Sequence, residues 1–383
     1  MNIWVDYEKM PLPQVLSWVV DNRGKTVPLD DNGEHILIAT NCVRNENLYP
    51  SYEKVRFLSQ DTYEKWFRSH PIPGDILFVC KGTPGRVCMV PDPIDFCIAQ
   101  DMVALRVNER IIYNRYLLVV LRSREIQQQI ANTSVGDVIP HFKKQFFDQL
   151  LIPIPPMSIQ RTIGDMYFSF ALKIEHNKHI NQNLLYQAST IYQAWFEDFV
   201  LFDGSCPESW IQGSLADIAT VSSGKRPPMK SSGRTDSTCI PIVGAASVMG
   251  YTSEANHTDK ILVIGRVGTH GVIQRFDSPC WASDNTLVIT SDFYEYTYQI
   301  LSRIDYHAMN RGSTQPLITQ GDLNKVAILI PDHETLEKFE KLVGCLMNQY
   351  RLNQLENEKL SKMRDTLLPK LMTGELDVSE IEL

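Results

Sequence analysis

A long stretch of this chain occurs twice, and that duplication restricts its possible folds more than any other feature. Write Ile174-Glu175-His176-Asn177-Lys178-His179-Ile180-Asn181 above Tyr350-Arg351-Leu352-Asn353-Gln354-Leu355-Glu356-Asn357. Asn177 then falls on Asn353 and Asn181 on Asn357. At the same offset Leu184 meets Leu360, Pro155 meets Pro331, Phe170 meets Leu346, Thr190 meets Thr366 and Ile191 meets Leu367, with no gap. An internal period this long dictates the architecture before any single element is considered.

Both copies carry the apolar period of a helix. In the first, Ile163, Met166, Phe170, Asn177, Leu184, Ala188, Ile191 and Trp195 recur at spacings of three, four or their sums. Phe339, Leu342, Leu346, Tyr350, Asn353, Leu360, Met363, Leu367 and Leu371 do the same in the second. Pro155-Pro156 and Pro331 stand where a helix start tolerates proline, and Thr373-Gly374 forms a stop signal. Each helix would be roughly 60 Å long at about 1.5 Å per residue, a length that suits a coiled coil. The expected seam sets Ile163, Phe170, Asn177, Leu184 and Ile191 against Leu346, Asn353, Leu360 and Leu367. A polar residue in such a seam costs stability and fixes register or partner number. Alternatively Asn177 and Asn353 simply turn to solvent, and the sequence leaves both readings open.

At 383 residues, with 43% hydrophobic residues, the chain is long enough for two or three domains with real cores. No run of about eighteen apolar residues marks a membrane span, and no basic-then-apolar leader opens the chain. A cytoplasmic protein is expected. The eight cysteines (Cys42, Cys80, Cys88, Cys97, Cys206, Cys239, Cys280 and Cys345) form no CxxC pair or zinc-like cluster, so reduced core thiols are expected. The net charge of −8 argues at first against nucleic acid. However, residues 1–150 and 201–330 are each close to neutral, while 331–383 are clearly acidic. A local basic face remains compatible with DNA, with weak binding unless a partner helps.

The segments ahead of the helices repeat more loosely. Asn22-Arg23-Gly24-Lys25-Thr26-Val27-Pro28 resembles Ser222-Ser223-Gly224-Lys225-Arg226-Pro227-Pro228, and apolar stretches at 15–20 and 215–221 precede them. Residues 76–87 match 262–272: a buried strand, a Gly-Thr-x-Gly turn and a second strand, together a hairpin. The basic residue slips by one place, since Lys81 directly precedes its glycine and Arg266 sits two before. Ile139-Pro140-His141 and Gln315-Pro316-Leu317 also correspond, each leading to an apolar strand, at 150–154 and 326–330. The expected class is α+β: two strand-rich domains separated by two long antiparallel helices forming a coiled coil, with an internal pseudo-two-fold repeat. The expected boundaries are 1–154 and 200–330 for the domains, 155–199 and 331–374 for the helices, and 375–383 for a tail. B-DNA has local two-fold axes as well, so two similar but unequal readers would meet two different half-sites.

Along its full length the chain resembles the specificity (S) subunit of a type I restriction–modification system. Carrying the resemblance are the two Gly-Thr-x-Gly hairpins, the Ile152-Pro153-Ile154-Pro155 entry to a helix, and Gln160-Arg161-Thr162-Ile163-Gly164. Ala194-Trp195-Phe196-Glu197-Asp198-Phe199 and Leu367-Leu368-Pro369-Lys370-Leu371-Met372-Thr373-Gly374 add to it. The resemblance implies two target-recognition domains reading a bipartite sequence in double-stranded DNA, with the helices as a ruler. It also implies two methyltransferase (M) subunits docked on those helices and an endonuclease/translocase (R) subunit. S-adenosylmethionine, ATP and Mg would then belong to the partners, with no cofactor bound by this chain. Pro84 and the slip at Arg266 depart from an idealised pattern.

The residues carry no recognisable catalytic motif. There is no Gly-x-x-x-x-Gly-Lys-Ser/Thr and no His-Glu-x-x-His, and neither Pro-Pro step follows an Asn or Asp as adenine methyltransfer would require. His176 and His179 at i, i+3 are expected to be solvated rather than metal ligands, and Asp92, Asp95 and Asp101 to be turn residues. A non-catalytic chain is expected. The alternatives are a stand-alone methyltransferase or nuclease with a recognition domain, or a coiled-coil scaffold with two protein-binding heads. Candidates for DNA contact are basic, amide or glycine residues on turns, where phosphates and base edges find their partners. In the first domain these are Lys25, Lys81, Gly82, Thr83, Arg86, Lys143 and Lys144. In the second they are Lys225, Arg226, Lys230, Arg266, Gly268, Thr269, His270, Arg311 and Gln315.

Overall fold

The computed structural model describes residues 7–22, 25–134, 139–266, 271–306, 308–309, 317–372 and 375. Two compact units divide the chain, Met1–His179 with Asn353–Leu383, and Ile180–Leu352.

Nine strands of the first unit are β1 (Lys9–Pro11), β2 (Leu16–Val20), β3 (His35–Ile38), β4 (Arg56–Leu58), β5 (Ile76–Val79), β6 (Val87–Met89), β7 (Phe96–Ile98), β8 (Met102–Val107) and β9 (Leu151–Pro153). They form a four-stranded antiparallel sheet in the order β2-β8-β5-β6, a three-stranded sheet β4-β3-β7 and the pair β1-β9. In the three-stranded sheet β3 and β7 run parallel. β5 reads as an uninterrupted apolar run because both of its faces are buried. Ile76 and Phe78 join the core built with helix Asn114–Arg122, while Leu77 and Val79 join Ile38, Phe96 and Ile98. The four-stranded sheet is thus a middle layer, with helices on one face and the smaller sheet on the other.

The second unit repeats this plan. Its strands are β10 (Ile211–Ser214), β11 (Thr220–Ser223), β12 (Ile240–Val243), β13 (Val248–Thr252), β14 (Ile261–Gly265), β15 (Ile273–Phe276), β16 (Trp281–Ala282), β17 (Thr286–Thr290) and β18 (Ala327–Ile330). The sheet orders are β11-β17-β14-β15, β13-β12-β16 and β10-β18, with β12 and β16 parallel. Strand for strand, this is the order of the first unit. Leu262 and Ile264 of β14 pack with Tyr294 and Leu301 of helix Tyr294–Arg303, whereas Ile261 and Val263 pack with Val243 and Ala282. The strands of both expected hairpins pair, β5 with β6 and β14 with β15, while residues 267–270 of the second turn lie outside the described residues.

The long helices are Met157–Phe196 and His333–Met372, each of 40 residues. The first begins just after Pro155-Pro156, where buried Gln160 donates its side-chain amide to the carbonyls of Pro155 and Ile111 and accepts from the Tyr113 N–H. Gly164 lets the helix approach helix Asn114–Arg122 closely, since a Cβ there would lie 2.8 Å from the Tyr116 nitrogen. Asp332 caps the second helix, accepting from the Thr335 N–H at 2.9 Å and from Trp210 Nε1 at 2.9 Å. Partial burial opposes its charge, yet the bonds from Thr335 and Trp210 hold its pKa below the ordinary value.

Within each unit the helical halves run antiparallel. In the first, Ile163 and Tyr167 share a core with Leu371, and Asn177 lies against Glu356 and Asn357. In the second, the Phe196 and Phe339 rings are 5.0 Å apart, and Asn181 donates to the Tyr350 carbonyl at 3.2 Å. The α+β class, with two strand-rich parts and two long helices, is therefore observed.

Several details differ from the sequence reading. Asn177 and Asn353 are 1% and 5% exposed, so neither turns to solvent. Ile163 and Leu184 are buried, whereas Phe170, Ile191, Leu346, Leu360 and Leu367 are half-buried. Leu342 and Met363 are exposed, while Tyr167, Ala171, Tyr192, Val343 and Met347 are buried in their stead. The buried face is set by sheets and short helices as well as by the second long helix, so it is not the single stripe of an isolated pair. Pro369 lies in the last turn of the second helix, where only one backbone bond to a preceding carbonyl is forgone. The stop signal Thr373-Gly374 lies outside the described residues. Five cysteines are buried, but Cys206 and Cys345 are exposed and Cys239 is half-buried, so not all are core thiols; none forms a disulfide. Burial pushes the Cys80, Cys88 and Cys97 thiols up to about 12.

Candidate nucleic-acid interface

In the first unit the turn after β5 runs Lys81-Gly82-Thr83-Pro84-Gly85. Gly82 and Gly85 have φ of 89° and 86°, a region that favours glycine. The Gly82 N–H donates to the Pro140 carbonyl at 2.9 Å, Lys81 bridges to His141, and the Phe142 N–H donates to the Cys80 carbonyl at 2.8 Å. The strip that continues into Lys143 and Lys144 is thereby laid beside the turn. Lys81, Gly82, Lys143 and Lys144 are exposed, and Lys144 forms an ion pair with Asp21. Thr83 and Arg86 are half-buried. Lys25 is exposed, just beyond Asn22, whose amide donates to the Ile98 carbonyl at 3.2 Å and accepts from the Arg68 N–H at 3.0 Å.

In the second unit the Lys225 N–H donates to the Ala282 carbonyl at 2.9 Å, and Trp281 Nε1 donates to the Lys225 carbonyl at 2.7 Å. Gly224 is needed for this approach, because a Cβ would lie 2.0 Å from the Ser283 oxygen. Lys225, Arg226 and Lys230 are exposed. His257 is held below its ordinary pKa, first by burial and then by the charge of Lys225. Arg266 donates its N–H to the Asn285 carbonyl at 2.8 Å and accepts from the Ile318 N–H at 3.1 Å. The Cys80 backbone makes the equivalent pair of bonds, to Asp101 and Phe142, so Arg266 occupies the place of Cys80 rather than that of Lys81. This explains the one-residue slip, and it leaves Arg266 half-buried, with its Nε unpartnered. Gly268, Thr269, His270, Arg311 and Gln315 lie outside the described residues.

The structure thus brings Lys81, Gly82, Lys143 and Lys144 together, and separately Lys225 and Arg226 with the β16–β17 turn. Uncharged or acidic residues stand beside these strips within each unit, Gln100 in the first and Asp284, Asn285 and Gln320 in the second, and they carry no positive charge that would mark them. Gln320 donates to Ser223 Oγ at 2.8 Å. Only strand register places these residues; no local motif marks them. Among the described residues no group of three or more His, Cys, Asp or Glu could hold a metal ion. His176 is exposed, and His179 lies 3.8 Å from Glu175.

The family model for the type I restriction modification DNA specificity domain matches residues 6–186 and 207–362. The chain belongs to this family. It is a DNA-specificity subunit of a type I restriction–modification system, a component for recognition and not for catalysis. Among its relatives, the type I restriction enzyme MjaIX specificity subunit of Methanocaldococcus jannaschii is 25% identical over 346 residues, covering 80% of this chain and 79% of the relative. The HindI specificity subunit of Haemophilus influenzae is 21% identical over 399 residues, covering 79% and 86%. In fold the chain is similar to the crystal structure of a type I S subunit from M. genitalium, with TM-score 0.60 over 96% of both chains at 16% identity. No helix among the described residues of this specificity subunit is long and apolar enough to cross a membrane.

Proposed function

We propose that this specificity subunit reads a bipartite, asymmetric target in double-stranded DNA, one half with each strand-rich part, and works in the cytoplasm. The observation that carries this reading is the duplication of sheet order, β2-β8-β5-β6 in one unit and β11-β17-β14-β15 in the other. The same scaffold is used twice, but its turns carry different residues: Lys81 stands beside a basic strip, whereas Lys225-Arg226 stands beside Trp281. Equal scaffolds with unequal turns imply equal roles and unequal sequences read. In the first unit Lys25, Lys81, Gly82, Lys143 and Lys144 position phosphates, and in the second Lys225, Arg226 and Lys230 do so.

The reading divides the chain into readers at 1–154 and 200–330 and spacer helices at 155–199 and 331–374. Two methyltransferase subunits dock on the helices, an endonuclease subunit joins them, and the helices set the spacer between half-sites. S-adenosylmethionine, ATP and Mg are the partners' cofactors. The test replaces residues 1–154 with the corresponding part of another specificity subunit, co-expresses the methyltransferase subunit and maps methylated DNA. One half of the methylated motif should change and the other should persist. A change in both halves, or in neither, would refute the two-reader function.

A further inference from the structure

The turns that enter β8 and β17 are equivalent. Parallel pairing sets Ile38 against Ile98 in the first unit and Val243 against Ala282 in the second. Counting on, Ala99-Gln100-Asp101 corresponds to Ser283-Asp284-Asn285. An independent set of bonds agrees, because the Asp101 carbonyl accepts from the Cys80 N–H and the Asn285 carbonyl from the Arg266 N–H.

Each turn lies between two strips that carry the basic candidates. On one side the Ile98 carbonyl is held by Asn22, three residues before Lys25, and the Ala282 carbonyl by Lys225 itself. On the other side Lys81 also donates its N–H to the Asp101 carbonyl, and Arg266 holds Asn285. Cations that engage phosphates beside the turn, Lys25 and Lys81 in the first unit and Lys225 in the second, would leave the turn residue facing base edges.

That residue is unused by the fold in both units. Gln100 makes no hydrogen bond among the described residues, and its Oε1 is buried without a partner. It borders a cavity of about 60 Å³ lined also by Thr26, Thr40, Arg56 and Asp101. A buried amide oxygen without a partner is uncommon in folded proteins, and Gln100 as a whole is only half-buried, so turning its side chain out of the cavity would offer both amide atoms to a base edge. Asp284 is exposed and has no hydrogen bond or ion pair among the described residues. Its neighbours, by contrast, maintain the turn: the Ser283 carbonyl accepts from Thr286 Oγ1 at 2.7 Å, and Asn285 holds Arg266.

We propose that Gln100 and Asp284 are base-reading side chains, one for each half-site, and that their different chemistry makes the two half-sites differ. The assignment rests on the two-reader function above. An amide both donates and accepts, which matches N7 and N6 of adenine; a carboxylate only accepts, which matches N4 of cytosine. Gln100 therefore selects adenine at one position of the first half-site, and Asp284 selects cytosine at one position of the second.

The test uses the complex assembled with its methyltransferase subunit and maps methylated motifs for Gln100→Ala, Gln100→Glu and Asp284→Asn. Gln100→Ala should relax one position of one half by about tenfold or more, with every other position unchanged. Gln100→Glu should move preference at that position toward cytosine, and Asp284→Asn should move one position of the other half toward adenine. Unchanged motifs, changes in the wrong half, or loss of methylation at every site would each overturn the assignment, because a residue that reads one base leaves the remaining contacts in place. Failure of the exchange of residues 1–154 would sink the two-reader function itself. A successful exchange with an indifferent Gln100 would sink only this assignment.

Discussion

Asn177 donates its side-chain amide to Asn357 Oδ1 at 2.9 Å and to Glu356 Oε2 at 2.7 Å, across the seam between the long helices. Asn357 is also the residue on which the internal repeat superposes Asn181. The bond from Asn177 is the first cause of the lowered pKa of Glu356, followed by burial, which opposes it, and by Lys173, which lies 3.4 Å away. Replacing Asn177 with Ala removes both hydrogen bonds and should lower stability by about 1–2 kcal/mol in urea denaturation. Asn177→Asp would set a second carboxylate beside Glu356. That variant should lose more stability at pH 7, where both are ionised, than at pH 4, and melting at the two values checks it.

Gly164 is a place where a single methyl group has nowhere to go. Its Cβ would meet backbone of helix Asn114–Arg122, the Tyr116 nitrogen at 2.8 Å and the Arg115 carbon at 3.1 Å. Gly164→Ala removes a helix-weakening glycine, which alone would stabilise by roughly 1 kcal/mol. The overlap should outweigh that gain and give a net loss of about 1–3 kcal/mol in urea denaturation. A variant as stable as the parent would show that the two helices separate freely.

Glu340 accepts the Tyr296 N–H at 2.8 Å and the Glu295 N–H at 3.0 Å, at the start of helix Tyr294–Arg303. Burial pushes its carboxyl up to about 7, against an ordinary value of 4.5; the two N–H bonds pull the other way without prevailing. A raised folded pKa means that the folded state prefers the protonated form. Its contribution is fully present below about 4.5 and is lost as pH rises through about 7. Glu340→Gln keeps one acceptor oxygen and cannot ionise. Its melting temperature should approach the parent's at pH 4, exceed it at pH 6 and exceed it further at pH 8; a constant difference across that range would contradict the argument.

Lys81 is exposed on the β5–β6 turn beside Lys143 and Lys144. A phosphate contact from it carries no base information, so Lys81→Ala should weaken DNA binding by the assembled complex uniformly across sequences. The slope of log affinity against log salt should fall by about 1. Titrations at several salt concentrations, on target and non-target duplexes, measure both quantities. An effect confined to the target duplex would make Lys81 a base reader instead.

The constant spacing of Asn177 to Asn353 and Asn181 to Asn357 was enough to reveal a duplicated chain with two long helices, because helical period and repeat offset are local properties of a sequence. The hairpins at 76–87 and 262–272 were legible for the same reason: apolar runs bounded by glycine turns need no knowledge of distant residues. Which helix positions are buried was not legible. Leu342 fits the apolar stripe and is 43% exposed, while Val343 beside it is fully buried, since sheets and short helices share in covering the long helices. Register across strands far apart in sequence placed Arg266 at the position of Cys80 and brought Gln100 and Asp284 to equivalent turns. Such register is set by backbone hydrogen bonds between distant segments, and those bonds leave little trace in residue type. The residues themselves determined the repeat, the helices and the turns; the tertiary structure alone decided which side chains stand between the basic strips.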